Sequence, residues 1–429
     1  MTMRQLPIVP AKFDKIIGGG QALATLDTGK KLFAWGALPD EEANVQVTKK
    51  KSSFVEGVVT EVLKASKDRI EPRDADSYLS TSPWQIMTME AEQRYKGALI
   101  IEAFQMHSVV LPNVVEVFTD GREFEYRNKI EFSFWFETDT QQLSLAFFRR
   151  GTHGKISIKS TSLASLAITK KSQEILDVLN GMHIIGRALK TLLMRSNADG
   201  EVAWQLYVKD PEFMHDEFIS HFPFDEKGEV IFSNPLSPAS VITERLTPKA
   251  MPLSDTILGT PFQYATEGFF QINLPVYEQA LKDMQTWIPV GTPVLDLYSG
   301  VGTIGLTIGG DDVTLVELNP DAVREMKRNI KALDKKAEAV LAASEDVLEY
   351  ITADKTIILD PPRAGLHDDV TERLLEAQPE RIVYLSCNPV TQARDIAKLA
   401  EKYDIISHTG YNFFPRTPHI EHLVVLDLR

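Results

Sequence analysis

The chain has 429 residues, room at roughly 150 per domain for about three domains and more than one buried core. Hydrophobic residues at 43% and charged residues at 25% place it among soluble globular proteins and exclude a disordered or collagen-like chain. A single cysteine, Cys387, excludes an intramolecular disulfide and any iron–sulfur cluster held by thiolates of one chain, and a net charge of −14 argues against nonspecific attraction to nucleic acid.

Met1 to Ile17 carries Arg4, Lys12, Asp14 and Lys15 among short apolar patches, without the apolar run of a secretory signal. The most apolar long stretch, Ile100 to Phe118, is broken by Glu102, Gln105, His107, Asn113 and Glu116, so a cytoplasmic protein with no membrane span is expected. From Ile16 to Pro72, short β-type runs (Lys31 to Trp35, Asn44 to Val47, Val55 to Leu63) separated by Gly18-Gly19-Gly20, Pro39-Asp40 and Ser66 predict a small β-barrel over 1–72. Such a barrel either offers a strand face to single-stranded nucleic acid or serves as a plain structural module. Basic runs at Lys49 to Lys51, Arg122 to Lys129 and Arg149 to Lys155 are where a polyanion would be held; each alone reads as a solvated charge run.

Residues 73–250 read as an α+β domain. Tyr126 to Phe136 and Leu143 to Arg149 are strands joined by a polar turn, and Ser172 to Leu193 has helical periodicity. Over 251–429 apolar strands (Pro293 to Leu297, Val313 to Leu318, Thr356 to Leu359, Arg381 to Ser386) alternate with helices (Tyr277 to Thr286, Ala322 to Leu333, Asp369 to Glu376, Thr391 to Tyr403). That alternation predicts an α/β unit with a mostly parallel sheet covered on both faces.

The first of these strands runs into Asp296-Leu297-Tyr298-Ser299-Gly300-Val301-Gly302-Thr303-Ile304-Gly305, a glycine-rich turn opening a helix, and the second ends at Glu317, placed to accept ribose hydroxyls. Both features fit an adenosine-type ligand and leave methyl transfer and hydride transfer open. Asp360-Pro361-Pro362-Arg363 breaks the tie by aiming a carboxylate at the crevice beyond the strand ends. Cys387 ends the next strand just before Asn388-Pro389, an N-cap and first helical position, where the helix terminus is expected to lower the thiol's pKa. His419-Ile420-Glu421 precedes a final strand, Leu423 to Leu428; the further cysteines that a zinc deaminase needs are missing, and no other metal-ligand spacing is present, so no catalytic metal is expected.

Asp296 to Gly305, Gln271 within Phe269-Phe270-Gln271-Ile272-Asn273, Asp360 to Gly365, Ser386-Cys387-Asn388-Pro389 and Pro418 to Glu421 resemble the ordered motifs of the RNA uracil-5 methyltransferase family. Gly36-Ala37-Leu38-Pro39 and Ser66 to Pro72 resemble its TRAM barrel, an OB-like module, and Tyr126-Arg127-Asn128-Lys129 with Phe147 to Gly154 resembles its central RNA-binding domain. The resemblance implies a Rossmann-like class I S-adenosylmethionine-dependent methyltransferase sheet. It implies Cys387 as the nucleophile that adds to uracil C6, Glu421 as the base for the C5 proton, and Asp360 and Arg363 on the uracil edge. The donor would lie against Gln271, Tyr298, Gly300, Thr303, Glu317, Asp346 and Asp360. The implied partner is RNA, with large-subunit ribosomal RNA favoured over the T loop of transfer RNA, and the chain is expected as a monomer. Many TRAM-bearing relatives carry four cluster cysteines after the barrel; Glu71 to Met89 has none. Two readings stay open: an enzyme making 5-methyluridine, and a noncatalytic RNA-binding or folding factor, against which intact Cys387, Asp360 and Glu421 count. An RNA cytosine-5 methyltransferase usually has a second cysteine where Arg363 stands.

Overall fold

A computed structural model describes residues 7–152, 154–222 and 226–429. Strands β1 (Ile8–Ile16), β2 (Ala22–Thr25), β3 (Lys31–Trp35), β4 (Glu42–Lys50) and β5 (Phe54–Lys64) close into a barrel in the order β1-β2-β3-β5-β4. Alternation sends Ala22, Ala24, Leu32, Ala34, Ala43 and Val45 inward, and small side chains suit so narrow an interior. β1 and β2 lie outside the predicted runs: β1 turns Val9, Ala11 and Phe13 inward, but Pro10 and the charged Lys12, Asp14 and Lys15 between them do not read as a strand.

The stretch after the barrel, where the resemblance expects cluster cysteines, contains α1 (Tyr78–Thr81) and is held by polar bonds. Buried Glu41 accepts from Arg69 Nε (2.5 Å) and Nη2 (2.7 Å) and from the amides of Ser66 (3.1 Å) and Leu38 (2.8 Å). Asp74 accepts from the Ser162 hydroxyl (2.7 Å), and Trp84 Nε1 donates to Gly20 O (3.0 Å). The bonds to Glu41 and Asp74 are charge-assisted and fix this stretch against the barrel and the central domain.

Helix α2 (Met89–Met106), capped by Thr88, and β6 (Val117–Phe118) lie within the expected 73–250 domain in sequence but against the C-terminal sheet in space. Ile100, Ala103 and Phe104 pack with Leu295, Leu297 and Val424, and β6 pairs in parallel with Gly410 and Tyr411. This segment therefore belongs to the C-terminal unit; an amphipathic helix shows that it covers a sheet, not which one.

The central sheet is built from β7 (Lys129–Glu137), β8 (Gln142–Phe148), β9 (Lys155–Ile158), β10 (Leu189–Ser196), β11 (Val202–Val208), β12 (Gly228–Phe232) and β13 (Glu244–Arg245), in the order β13-β12-β11-β10-β7-β8-β9. Helices α3 (Leu166–Gly181) and α4 (His215–Ile219) cover one face through Ile168, Ile175, Leu179 and Phe218. The helix expected over Ser172 to Leu193 thus ends at Gly181, and Leu189 opens a strand. β10 is central and buried on both faces, so it reads as a continuous apolar run that either period accommodates.

After the hairpin β14 (Leu253–Ile257) and β15 (Thr260–Tyr264), the C-terminal unit comprises α5 (Leu274–Gln285), β16 (Val294–Leu297), α6 (Thr303–Ile308), β17 (Val313–Glu317), α7 (Pro320–Ala332), β18 (Ala337–Leu341), β19 (Thr356–Leu359), α8 (Asp368–Ala377), β20 (Arg381–Ser386), α9 (Pro389–Leu399), β21 (Tyr403–Tyr411) and β22 (Glu421–Leu428). Its eight-stranded sheet runs β18-β17-β16-β19-β20-β22-β21-β6, parallel from β18 to β20, with β22 antiparallel to both neighbours. The order reverses at β16, with β17 on one side and β19 on the other. Ligands of open α/β sheets bind beyond the strand ends at such a reversal.

Candidate active site

Beyond β16 the chain turns through Tyr298 (φ 65°), Gly300 (φ 57°) and Gly302 (φ 87°) into α6. A Cβ at Gly305 would stand 2.5 Å from Leu315 Cδ2 and 2.9 Å from Asp296 Oδ2, so only glycine lets this helix lie directly on the sheet. Asp296 Oδ2 accepts from the Gly305 amide (2.8 Å) while Oδ1 has no partner, and burial pushes the group up to about 8. At the end of β17, Glu317 accepts from the Gly300 amide (3.0 Å) and the Asn319 amide (2.7 Å), one per carboxylate oxygen. Each oxygen retains a second lone pair for a ligand.

These groups open onto a cavity of about 1250 Å³ lined by Gln271, Tyr298, Gly300, Thr303 and Glu317 on one side and by Asp360, Arg363, Cys387, His419 and Glu421 on the other. Asp346 does not line it. That residue is exposed, and Ser344 and Glu345 of the same tight turn take its expected place, since a 3₁₀ turn changes which side chain faces inward at every step.

The loop after β19 is pinned to α9. Asn388 Nδ2 (2.8 Å) and Thr391 Oγ1 (3.2 Å) both donate to Arg363 O. Gly365 (φ 80°) is packed so closely that a Cβ would come 2.6 Å from Asp395 Oδ2. Cys387 directly follows β20, and Asn388 caps α9 by accepting from the Val390 amide (3.3 Å).

The thiol does not have the lowered pKa expected of a helix terminus. Burial, then Glu421 and Asp360, push it up to about 12 against the opposing pull of Arg363. One helix end supplies a partial charge, whereas two carboxylates share the pocket with the sulfur. Those carboxyls are raised too: Asp360 up to about 7 by burial, and Glu421 well above its ordinary range by burial and then Asp360. Burial and the Arg363 charge drive His419 down to about 4.

Residues 330–429 match the family described as tRNA (uracil-5-)-methyltransferase. An uncharacterized RNA methyltransferase of Enterococcus faecalis is 28% identical over 92% of each chain, and one from Thermotoga maritima is 28% identical over 97% of this chain and 98% of its own. Over those C-terminal residues the chain resembles the tRNA (uracil-5-)-methyltransferase family, and over nearly its whole length it is similar to proteins named RNA methyltransferases. The fold is shared with Pyrococcus abyssi tRNA (uracil-54, C5)-methyltransferase, crystallised with S-adenosyl-L-homocysteine, which is 21% identical with a TM-score of 0.78 over 97% of this chain and all of its own.

In this methyltransferase the loop that carries His419 and Glu421 is clamped from outside the sheet, by residues with no motif signature. Glu92, fully buried on α2, accepts from the Arg416 amide (3.0 Å) and Asn412 Nδ2 (2.9 Å) and pairs with Lys96 (2.9 Å). Lys96 Nζ donates to Asn412 Oδ1 (2.5 Å) and Phe414 O (3.1 Å). Arg416, 1% exposed, donates to Met87 O (2.5 Å) and pairs with Glu123, and Tyr126 donates to Pro415 O (2.9 Å). From the barrel side, Gly20 sits so close to Pro418 that a Cβ would overlap its ring at 2.3 Å.

The basic runs divide. Lys49 pairs with Glu56 (2.8 Å) and Arg122 with Asp120 (3.3 Å). Arg150 stacks 4.1 Å over Trp35 and donates to Leu79 O, tying the central sheet to the barrel, while Arg149 is exposed. His153 of the same run lies outside the described residues. Arg127 lines the cavity. Among the described residues no cluster of three His, Cys, Asp or Glu side chains is placed to hold a metal ion, and no helix is long and apolar enough to cross a membrane.

Proposed function

We propose that the enzyme methylates carbon 5 of a uridine in structured RNA, in the cytoplasm, with S-adenosylmethionine as donor. The observation that carries this reading is one cavity in which a thiol, two carboxyls and an arginine face a glycine-rich turn and the Glu317 carboxylate at the end of β17. The donor side fits such a ligand: the backbone at Gly300 has open space where a Cβ would stand, and Glu317 keeps acceptor capacity beside it. Gln271, Tyr298, Gly300, Thr303 and Glu317 would hold the donor, which supplies an electrophilic methyl group.

Cys387 Sγ, once deprotonated, adds to C6 of the uracil, and the electron pair displaced from the C5–C6 double bond makes C5 nucleophilic. Asp360 and Arg363 hold the ring edge, the guanidinium facing the carbonyl oxygen on which charge develops. After the methyl group has joined C5, Glu421 takes the C5 proton; the C–H pair re-forms the double bond and the thiolate leaves C6. Burial and the neighbouring carboxyls hold the thiol toward its neutral form, and burial does the same for the carboxyls, so positive charge or hydrogen-bond donors entering the cavity favour the anionic forms. That arrangement keeps the nucleophile quiet until the site is filled. A base must leave its stack to reach Cys387, so the substrate is a loop or a flipped nucleotide.

Two substitutions test the pathway. Cys387→Ala forms neither product nor adduct; Glu421→Gln forms a methylated RNA–protein adduct that a radiolabelled methyl group reveals on a denaturing gel. Turnover by Cys387→Ala overturns the covalent mechanism, and normal turnover by Glu421→Gln moves the base elsewhere. For the choice of RNA, the barrel loses its force as an argument for ribosomal RNA, because a match over 97% of this chain takes in the barrel and the protein so matched is a transfer RNA enzyme. Mapping 5-methyluridine in ribosomal and transfer RNA from a deletion strain and its parent decides between them.

A further inference from the structure

The segment that opens β7 looks in two directions. Arg127 lines the cavity, whereas Asn128 and Lys129 turn to the loop 267–271, which lies between β15 and α5 and has no regular structure of its own. Asn128 Nδ2 donates to Gln271 O (3.0 Å), and Lys129 Nζ donates to Glu267 O (2.8 Å) and Gly268 O (3.0 Å). Arg195, which pairs with Lys129 across β10 and β7, is 1% exposed and donates Nη2 to the same Gly268 O (2.8 Å). Its guanidinium lies 5.1 Å from the ring of Tyr264, which stacks on Phe270 at 3.9 Å. A loop cannot satisfy its own carbonyls as a helix does, and here the central sheet does so from outside with a buried arginine, a half-buried lysine and an amide. Burying Arg195 against a neutral carbonyl is expensive, with its Nε and Nη1 left without a hydrogen-bond partner, so the arrangement favours a fixed geometry over maximal stability.

We propose that Asn128, Lys129 and Arg195 are positioning residues for the methyl donor: they set loop 267–271, and so Gln271, over the glycine turn, and they do not touch RNA. This rests on the reading that the donor occupies that side of the cavity. The YRNK segment then splits in function between adjacent residues, with Arg127 facing the substrate and the next two bracing the donor side.

The test is calorimetric titration of the RNA-free enzyme with S-adenosylhomocysteine, beside steady-state kinetics in both substrates. Lys129→Met weakens S-adenosylhomocysteine binding about tenfold, while the KM for RNA and kcat at saturating donor stay within about twofold of the parent. Lys129→Arg, which keeps a charged donor, restores most of the affinity, and Arg127→Ala shows the converse, a raised KM for RNA with unchanged donor affinity. Should Lys129→Met not fold, Asn128→Ala is read in the same way, with about threefold weaker binding expected from the loss of one neutral bond. Unchanged donor affinity in these variants, or a loss confined to RNA, overturns the inference alone. A parent enzyme that binds no S-adenosylhomocysteine overturns the donor reading and the inference with it.

Discussion

The two loops that meet across Cys387 are held in opposite ways. The Asp360 to Gly365 loop is fixed by its own sheet and helix, through Asn388, Thr391 and the close approach of Gly365 to Asp395. The Phe414 to Glu421 loop is fixed by other parts of the chain: Glu92 and Lys96 on α2, Met87 and Glu123 beside it, Tyr126 at the central domain and Gly20 on the barrel. The surroundings of Cys387, the proposed nucleophile, are therefore a property of the C-terminal fold, and the position of the proposed base is a property of the whole molecule.

Arg416→Met gives the largest effect that can break this contrast. It removes one partner from a buried ion cluster and leaves Glu123 and the Met87 carbonyl without theirs, at a cost of about 3 to 5 kcal/mol in urea unfolding. At a temperature where the variant is folded, RNA adducts still form but resolve slowly, because Glu421 is displaced and Cys387 is not. If addition and release fall together, the two loops are not independent. Gly365→Ala is the mirror experiment. A side chain at φ 80°, 2.6 Å from Asp395 Oδ2, costs about 1 to 3 kcal/mol and disturbs Asp360 and Arg363, so adduct formation itself slows. Normal adduct formation by this variant would show that the loop tolerates the shift.

A smaller effect separates the loops from the sheet beneath them. Burial raises Asp296 up to about 8, so the fold favours its neutral form: that contribution is complete below the unfolded carboxylate value, near pH 4, and is lost as pH rises through about 8. Asp360, raised up to about 7, acts in the same sense over a lower window. The parent's thermal midpoint accordingly falls between about pH 4 and 8 through these groups, and Asp296→Asn, which keeps an acceptor for the Gly305 amide, flattens the upper part of that fall. Parallel curves for parent and variant would mean that Asp296 is ionised in the folded protein. The smallest effect concerns the basic turn. Arg150→Ala loses about 0.5 to 1 kcal/mol of stability with its Trp35 contact and leaves the salt dependence of RNA binding unchanged, whereas Arg149→Ala lowers the salt slope by about one phosphate contact. Equal salt slopes for the two variants would return Arg150 to the RNA surface.

What could be read in advance follows the same division. The glycine turn, Glu317, Asp360 to Gly365, Cys387 and Glu421 each sit at a strand end inside a short run whose spacing is itself the signal, and the structure brings them around one cavity. Glu92, Lys96, Asn412 and Arg416 carry no such run: they are ordinary polar residues, far apart in the chain, that become a unit only when α2 crosses the C-terminal sheet. The thiol's raised pKa was hidden for a related reason, since helix capping is local whereas the burial of the sulfur, and then the carboxyls that arrive from the start of β22 and from beyond β19, are set by the fold. Asp346 shows the limit of resolution within a motif, where the turn is in place but its inward side chains are Ser344 and Glu345.

The placement of α2 and β6 in the C-terminal sheet also bears on how the chain is made. A ribosome delivers Ile100, Ala103 and Phe104 long before Leu295, Leu297 and Val424 exist to cover them, and the whole central sheet is synthesised in the interval. The catalytic sheet is thus the last part able to close, and during synthesis its early helix needs a temporary cover from the nascent chain or a chaperone. The same ordering sets the smallest piece of this protein that can be produced: a fragment begun after Phe118 would leave the β21 edge at Gly410 and Tyr411 without a partner strand and one face of the sheet bare, a recipe for aggregation rather than a minimal enzyme.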